Sequence, residues 1–296
     1  MIERGIAERL DKEVVKWVSS IKNEEVRKVA KQNAIVAGGA IASLIQGEEP
    51  KDIDIYFRSP DAAAMVLGYY INNYMENSNI GYYERKCGPE DLPGVTITFP
   101  TRDAMWVGPK VELSVGCSKE GSDDGLVTSS DTKNEYTPKC LTASALSLTN
   151  GVQLIHRFCG PPERITDTFD FVHCTGTFDC ELYKLNISRE VYHSIVNKRL
   201  IYIGSRYPVC SLFRIRKFIH RGWHIGAGDV LKMAIQVSQL DLLKYEVLVD
   251  QLIGVDYLYF LSLINSLSEE SLTMHGLLSK IDEIMGCEVL NQERDS

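Results

Sequence analysis

The residues best equipped to do chemistry lie close together near the start of the chain. Gly38 and Gly39 end the apolar run Ala34-Ile35-Val36-Ala37, and Asp52 and Asp54 open the next such run, with twelve residues between Gly39 and Asp52. Glycines between a strand and a helix leave bare backbone N–H groups at the helix N-terminus, where they and the helix dipole can hold a phosphate. Residues i and i+2 of a strand share a face, so the carboxylates of Asp52 and Asp54 can reach a common point. Paired carboxylates beside a phosphate are what magnesium, two ions in such sites, requires. The ions would activate an attacking hydroxyl and neutralise charge on a leaving pyrophosphate. A lone D-x-D or a lone glycine pair is explained by a turn. The specificity comes from their order: strand, glycines, helix, loop, then Asp-apolar-Asp-apolar.

The elements that must position these residues are legible around them. Apolar residues at helical spacing (Ile6, Leu10, Val14, Trp17, Val18 and Ile21) predict a helix, and a second, more polar one follows to residue 32. Residues 34–37 suit a buried strand, 40–45 a short helix stopped by Gly47, and 52–57 a half-exposed strand. Pro60 opens a helix running to about Met75. Further strands are expected at 94–99, 110–115, 145–148 and 152–158. Between them, 116–139 is rich in Gly, Ser, Asp and Thr and reads as a long loop or insertion. From about residue 185 the pattern turns helical, with helices expected at 211–224, 228–246, 248–266 and 269–285 and a polar tail after Cys287.

With those residues in hand, a resemblance can be named. Ala37-Gly38-Gly39-Ala40 through Asp52-Ile53-Asp54-Ile55 resembles the signature of the polymerase β-type nucleotidyltransferase superfamily, and bacteriophage proteins of that type look alike in arrangement. The resemblance implies an α+β head, a mixed sheet flanked by helices, that moves a nucleoside monophosphate from an NTP to a hydroxyl. Gly38 and Gly39 would then bind the triphosphate, and Asp52 and Asp54 the metal. Two further segments resemble the CCA-adding and poly(A) polymerase branch. Asp170-Phe171 stands where that branch has an R-R-D-F segment, without the arginines. Residues 207–225, with Pro208, Arg214, Arg216, Phe218, Gly222, Trp223 and Ile225, resemble its neck helix, although Tyr207 and Cys210 replace an Asp and an Arg. The E-D-x-x-R base-reading motif of that branch is not found.

Enzymes of this superfamily place a third carboxylate on a neighbouring strand, and three positions compete for it. Asp170 is favoured, since an acid in the apolar run Phe169–Val172 calls for a cation. Glu112, in Val111–Val115, alternates as such a strand would. Alternatively, the strand beginning Val152-Gln153 is the equivalent one, and Gln153 has replaced the acid. His173 beside Asp170 reads either as a nucleotide contact or as a satisfied core histidine.

Charge adds a further candidate. Residues 191–228 contain Lys198, Arg199, Arg206, Arg214, Arg216, Lys217 and Arg221 and no acid, in a chain of net charge -8. Arg214, Lys217 and Arg221 fall on one helical face and could meet a triphosphate or an RNA backbone; a solvated surface is the plain alternative. The overall acidity disfavours indiscriminate binding along nucleic acid. No run reaches the roughly 18 apolar residues of a membrane span, and the charged N-terminal stretch lacks a signal-like core. The eight cysteines form no C-x-x-C pair and read as reduced and mostly buried.

The reading that follows is a nucleotidyltransferase head over 1–184 and a helical neck and C-terminal region over 185–296. It would use magnesium and an NTP such as ATP, with RNA, tRNA or a protein as acceptor. The expected location is the cytoplasm, that of the host cell if a phage encodes it, away from membranes. Asp52, Asp54 and Asp170 would be catalytic and metal-binding, and Gly38, Gly39, Arg214 and Arg216 nucleotide-binding. Two rivals remain: a phage protein that keeps the fold without turnover, and a toxin- or antitoxin-like module.

Overall fold

In a computed structural model, residues 2–77, 94–98, 110–114, 136–141 and 144–252 are described. The chain divides into two compact units, Met1–Ile203 and Gly204–Ser296.

The first unit is α+β, as the sequence implies. Helix α1 (Ile2–Ser20) and helix α2 (Glu24–Asn33) precede the sheet. The apolar residues read at helical spacing, together with Ile21 just beyond α1, are all buried. Burying each such side chain contributes about 1.5–3 kcal/mol against leaving it in water. Trp17 is fully buried, and its indole N–H donates to the Tyr70 hydroxyl at 2.9 Å. Asn23 caps α2 by accepting the Val26 N–H at 3.1 Å. Strand β1 (Ala34–Ala37) follows at once, then helix α3 (Gly39–Ile45), strand β2 (Ile53–Phe57) and helix α4 (Pro60–Asn77).

Strands β3 (Gly94–Thr98) and β4 (Lys110–Ser114) pair antiparallel with each other as a separate sheet. Of the expected insertion, 116–135 lies outside the described residues, and strand β5 (Pro138–Leu141) begins within its last residues. Strand β6 (Ala145–Leu148), strand β7 (Val152–Cys159), helix α5 (Pro162–Thr166), strand β8 (Thr177–Asp179), strand β9 (Lys184–Asn186) and helix α6 (Arg189–Val196) complete the unit. The main sheet has seven strands in the order β5-β6-β7-β2-β1-β8-β9. Only β2 and β7 run parallel; the other neighbours are antiparallel, which makes the sheet mixed.

The two sheet faces differ in cover. Val36, Ile55, Phe57, Leu154 and Phe178 enter a large core with side chains of α1, α2, α3 and α4. Among the described residues, the opposite face carries a small cluster of Ile35, Ala37, Tyr56 and Ile165, with Ile155 and Phe169 against it. By strand alternation Asp54 shares this face with Tyr56.

Two local expectations are corrected. Asp52 is the residue before β2 rather than its first member. The run Phe169–Val172 is not a strand: Asp170, Phe171, Val172 and His173 are buried in succession, without alternation. A bend at Asp170 leads into a 3-10 turn at Val172–Cys174, with a single bridge from Phe171 to Tyr202. Strands β8 and β9 had no expectation at all. They are three residues each, too short to display a period.

In the second unit, helix α7 (Pro208–His220), helix α8 (Ala227–Val237) and helix α9 (Tyr245–Leu252) are described. Helix α7 stops earlier than the expected residue 224. Gly222 takes φ 79°, and the Trp223 N–H returns to the Phe218 carbonyl at 3.0 Å, a closure that glycine permits. The helix expected over 228–246 ends early, at Val237, and the next, expected from 248, starts at Tyr245. What was expected beyond 252 lies outside the described residues. Among the described residues no helix is long and apolar enough to cross a membrane.

An ion pair ties the end of β8 to the residue that follows β2. Asp179, 2% exposed, accepts from the Arg58 guanidinium and from the N–H groups of Glu181 and Leu182, both at 3.1 Å. Replacing Arg58 by Met should cost about 3 kcal/mol, because it strands a buried charge rather than merely deleting a contact. Urea denaturation would show a lower midpoint with an unchanged slope. An unaltered midpoint would mean that the two backbone donors satisfy Asp179 by themselves.

Candidate functional site

The glycine pair and the aspartates meet through strand register. β1 and β2 are antiparallel with Ala37 opposite Asp54, so Gly38 leaves the sheet beside that carboxylate. A Cβ placed on Gly38 would lie 3.2 Å from Asp54 Oδ2. Gly38 also has φ 89° and ψ -148°, a backbone region that is essentially glycine-only. Two independent demands thus fall on Gly38. Gly39 begins α3 with open space around it and no positive φ; its lack of a side chain keeps the approach clear without being forced by the fold.

The carboxylates differ in setting. Asp52 is exposed at the mouth, and Asp54 is half-buried one step into the sheet. On the other side of β2, β7 places Gln153 opposite Asp54. Of the three positions weighed for a third acid, Gln153 is therefore the one the sheet sets beside the pair. Glu112 pairs with Thr96 in the separate β3–β4 sheet. Asp170 is buried at the bend, where its carbonyl accepts the Ile203 N–H at 3.0 Å. Among the described residues, no three His, Cys, Asp or Glu side chains gather as a metal-ligating group.

The 170–174 segment nonetheless borders the site. Gly38 donates its N–H to the Cys174 carbonyl at 3.2 Å, and Cys174 Sγ lies 3.1 Å from His173 Nε2. Gly176 sits closely under Ile41 of α3, at 3.1 Å from where its Cβ would be. This turn props the start of α3 and with it the backbone of Gly38. His173 is the core histidine of the two alternatives: it is 2% exposed, and burial pushes its pKa down to about 4 against an opposing pull from Asp170. Its folded pKa is below the ordinary value of 6.5, so the unfolded chain binds the proton more readily. The stabilisation is thus present above pH 6.5 and lost as pH falls through about 4. Between pH 7 and pH 5 the loss should be about 2 kcal/mol. Denaturation at the two pH values checks this, and His173→Gln should shed most of the difference; an equal difference in the variant would place its source elsewhere.

Gly151 was not read from the sequence as a site residue. Asn150 and Gly151 form the β6–β7 turn with φ of 67° and 74°, the left-handed pair a tight hairpin demands. A Cβ on Gly151 would stand 2.8 Å from the Lys51 carbonyl oxygen and 3.9 Å from Asp52 Cα. The glycine lets the hairpin press on the peptide that carries Asp52. The Asn-Gly pair between two apolar runs was the available signal.

Arg214 and Arg216 lie on α7 in the second unit, exposed together with Lys217 and Arg221. Phe218 of that helix stacks at a tilt on Trp223, with ring centroids 5.7 Å apart.

A family model described as "Gabija anti-defense 2 family protein" matches residues 8–198, which takes in the glycines, both aspartates, Gln153 and the 170–174 turn. The chain belongs to this family. A curated relative, Gabija anti-defense 2 of Bacillus phage SPbetaL7, is 24% identical over 268 residues, 88% of this chain. The chain spans 52% of that relative's length. Among solved structures, the Thermotoga maritima CCA-adding enzyme complexed with tRNA is similar at 11% identity and a TM-score of 0.39, covering 76% of this chain and 45% of that one. The Bacillus stearothermophilus CCA-adding enzyme with CTP gives 13%, a TM-score of 0.38, 76% and 43%. At such levels neither assigns a role to any residue of this Gabija anti-defense 2 family member.

Proposed function

We propose that this Gabija anti-defense 2 family protein is a divalent-metal-dependent nucleotidyltransferase that moves a nucleoside monophosphate from an NTP to a hydroxyl acceptor, RNA or protein. One observation carries the reading: Gly38 opens directly onto the Asp54 carboxylate, with its Cβ position only 3.2 Å from Asp54 Oδ2. A backbone bare of side chain next to a carboxylate suits a cation-bound phosphate. The donor set fits such a cation. Magnesium takes oxygen ligands and is commonly held by one or two carboxylates together with substrate phosphates, rather than by an all-protein cage.

In this reading Asp52 and Asp54 hold the magnesium, and the backbone at Gly38 and Gly39 receives the triphosphate. When bound, magnesium lowers the pKa of the attacking hydroxyl and neutralises the leaving charge. The acceptor oxygen bonds to the α-phosphorus as its bond to the pyrophosphate breaks, and the hydroxyl proton goes to water. Asp170 anchors the turn that props Gly38. Arg214 and Arg216, in the second unit, offer exposed guanidinium groups that suit phosphates. The family name supports a role against Gabija defence during phage infection, for which the cytoplasm of the infected cell is the fitting location.

Gln153 favours a second reading, in which the nucleotide is bound and not turned over. The test is incubation with each α-labelled NTP, magnesium, and tRNA, total RNA or total bacterial protein. Transfer of label that a chelator abolishes is expected. Binding without transfer establishes the second reading, and absence of both removes the two together.

A further inference from the structure

Asp52 and Asp54 are held in different ways. Asp54 is paired on both sides of β2, with Ala37 and with Gln153, whereas the register ends at Ile53 and leaves Asp52 one residue beyond the ladder. What packs on the chain there is the β6–β7 turn. The Cβ position of Gly151 is 2.8 Å from the Lys51 carbonyl oxygen, 3.8 Å from the Lys51 carbonyl carbon and 3.9 Å from Asp52 Cα. Leu148 and Val152, which flank the turn, are both anchored in the main core. A second fastening lies at Thr149, where the turn begins. Its N–H donates to the Thr137 carbonyl at 2.9 Å, and its hydroxyl oxygen accepts the Thr137 N–H at 3.0 Å. Main chain and side chain of Thr149 therefore clasp the residue before β5 together. Both threonines are half-buried, so removing the hydroxyl leaves the Thr137 N–H poorly repaid by water.

We infer that Thr149 and Gly151 are positioning residues for Asp52. The clasp fixes the turn, the turn fixes the Lys51–Asp52 peptide, and that peptide sets the Asp52 carboxylate against Asp54. One carboxylate of the pair is thus placed by the sheet and the other by a hairpin that packs on it from outside the strand. The inference rests on the reading of Asp52 as a cation ligand. Groups that orient a metal ligand from behind typically account for about 10–100-fold in metal affinity or activity.

Thr149→Val removes the hydroxyl and keeps the branched shape. In the protein free of metal and nucleotide, amide hydrogen exchange at Asp52 and Ile53 should speed up about fivefold, while exchange from Asp54 to Phe57 within the ladder stays as it was. The magnesium concentration that half-saturates nucleotidyl transfer should rise at least about tenfold in the folded variant. A role in stability alone would leave that requirement unmoved. Thr149→Ser keeps the hydroxyl and should match wild type in both measurements. Gly151→Ala, whose methyl group meets the Lys51 carbonyl, should change both in the same direction and further. Unchanged exchange at Asp52 in a folded Thr149→Val overturns the inference, as does an equal magnesium requirement in that variant and wild type. Should one of the two disruptive variants fail to fold, the other decides. Absence of transfer by wild type is a different result: it removes the nucleotidyltransferase reading, and exchange at Asp52 still tests the positioning.

Discussion

Asp54→Asn is expected to bind magnesium–NTP at least about tenfold more weakly and to lose nucleotidyl transfer by at least about 100-fold. The substitution preserves shape and removes charge, and the side chain is only half-buried, so the melting temperature should stay close to that of the parent. The size of the effect follows from position. Asp54 is the carboxylate that faces the glycine opening, with its Oδ2 only 3.2 Å from where a Cβ on Gly38 would stand. Asp52, exposed before the strand, should show the same direction. Binding and transfer can be read in one set of samples by filter retention and by labelled-product gels. Full transfer by a folded Asp54→Asn would end the assignment of this site. In a phage-infection assay against Gabija-carrying bacteria, the same variant should lose protection of the phage in parallel with its binding.

Gly38→Ala should be among the most damaging single methyl groups in the first unit. Its backbone, at φ 89° and ψ -148°, lies where an L-residue pays about 1–3 kcal/mol. The added Cβ would also press on Asp54. Stability should therefore fall by roughly 2 kcal/mol, and nucleotide binding by more than that loss explains. Gly39→Ala provides the contrast. That position is in open space at the first turn of α3, and its effect on stability should be a few tenths of a kcal/mol. Equal melting curves for the two variants would show that the glycine conformation is not what holds the site. The contrast separates a fold requirement from a clearance requirement, which the sequence presents as two identical letters.

How much of this was legible beforehand depends on whether a feature is local. The apolar spacing of α1 set its buried face because helix geometry converts a period into a side, and the burial of Leu10, Val14, Trp17 and Ile21 follows it. The strand Ala34–Ala37 and the following glycines could be read because a four-residue apolar run ended by Gly-Gly has few other uses. Asp170 misled for the complementary reason. Its apolar neighbours suggested a strand, but they are buried because the segment passes beneath the start of α3, and burial from tertiary surroundings carries no period. The helix expected across 228–246 failed at Val237, where residues 238–244 form turns between two helices.

The sequence by itself therefore determined the α+β class of the first unit, the helical character of the second, and the four residues Gly38, Gly39, Asp52 and Asp54, each set by contacts within a strand, a turn or a helix start. Tertiary structure decided what stands around them. That Gln153 lies beside Asp54, that Gly151 presses on the peptide before Asp52, and that Cys174 takes the Gly38 N–H are facts of register and packing between segments more than a hundred residues apart in places. Residues so distant in sequence have no spacing rule to betray them, because only the pairing of β2 with β7 and the docking of the 170–174 turn bring them together.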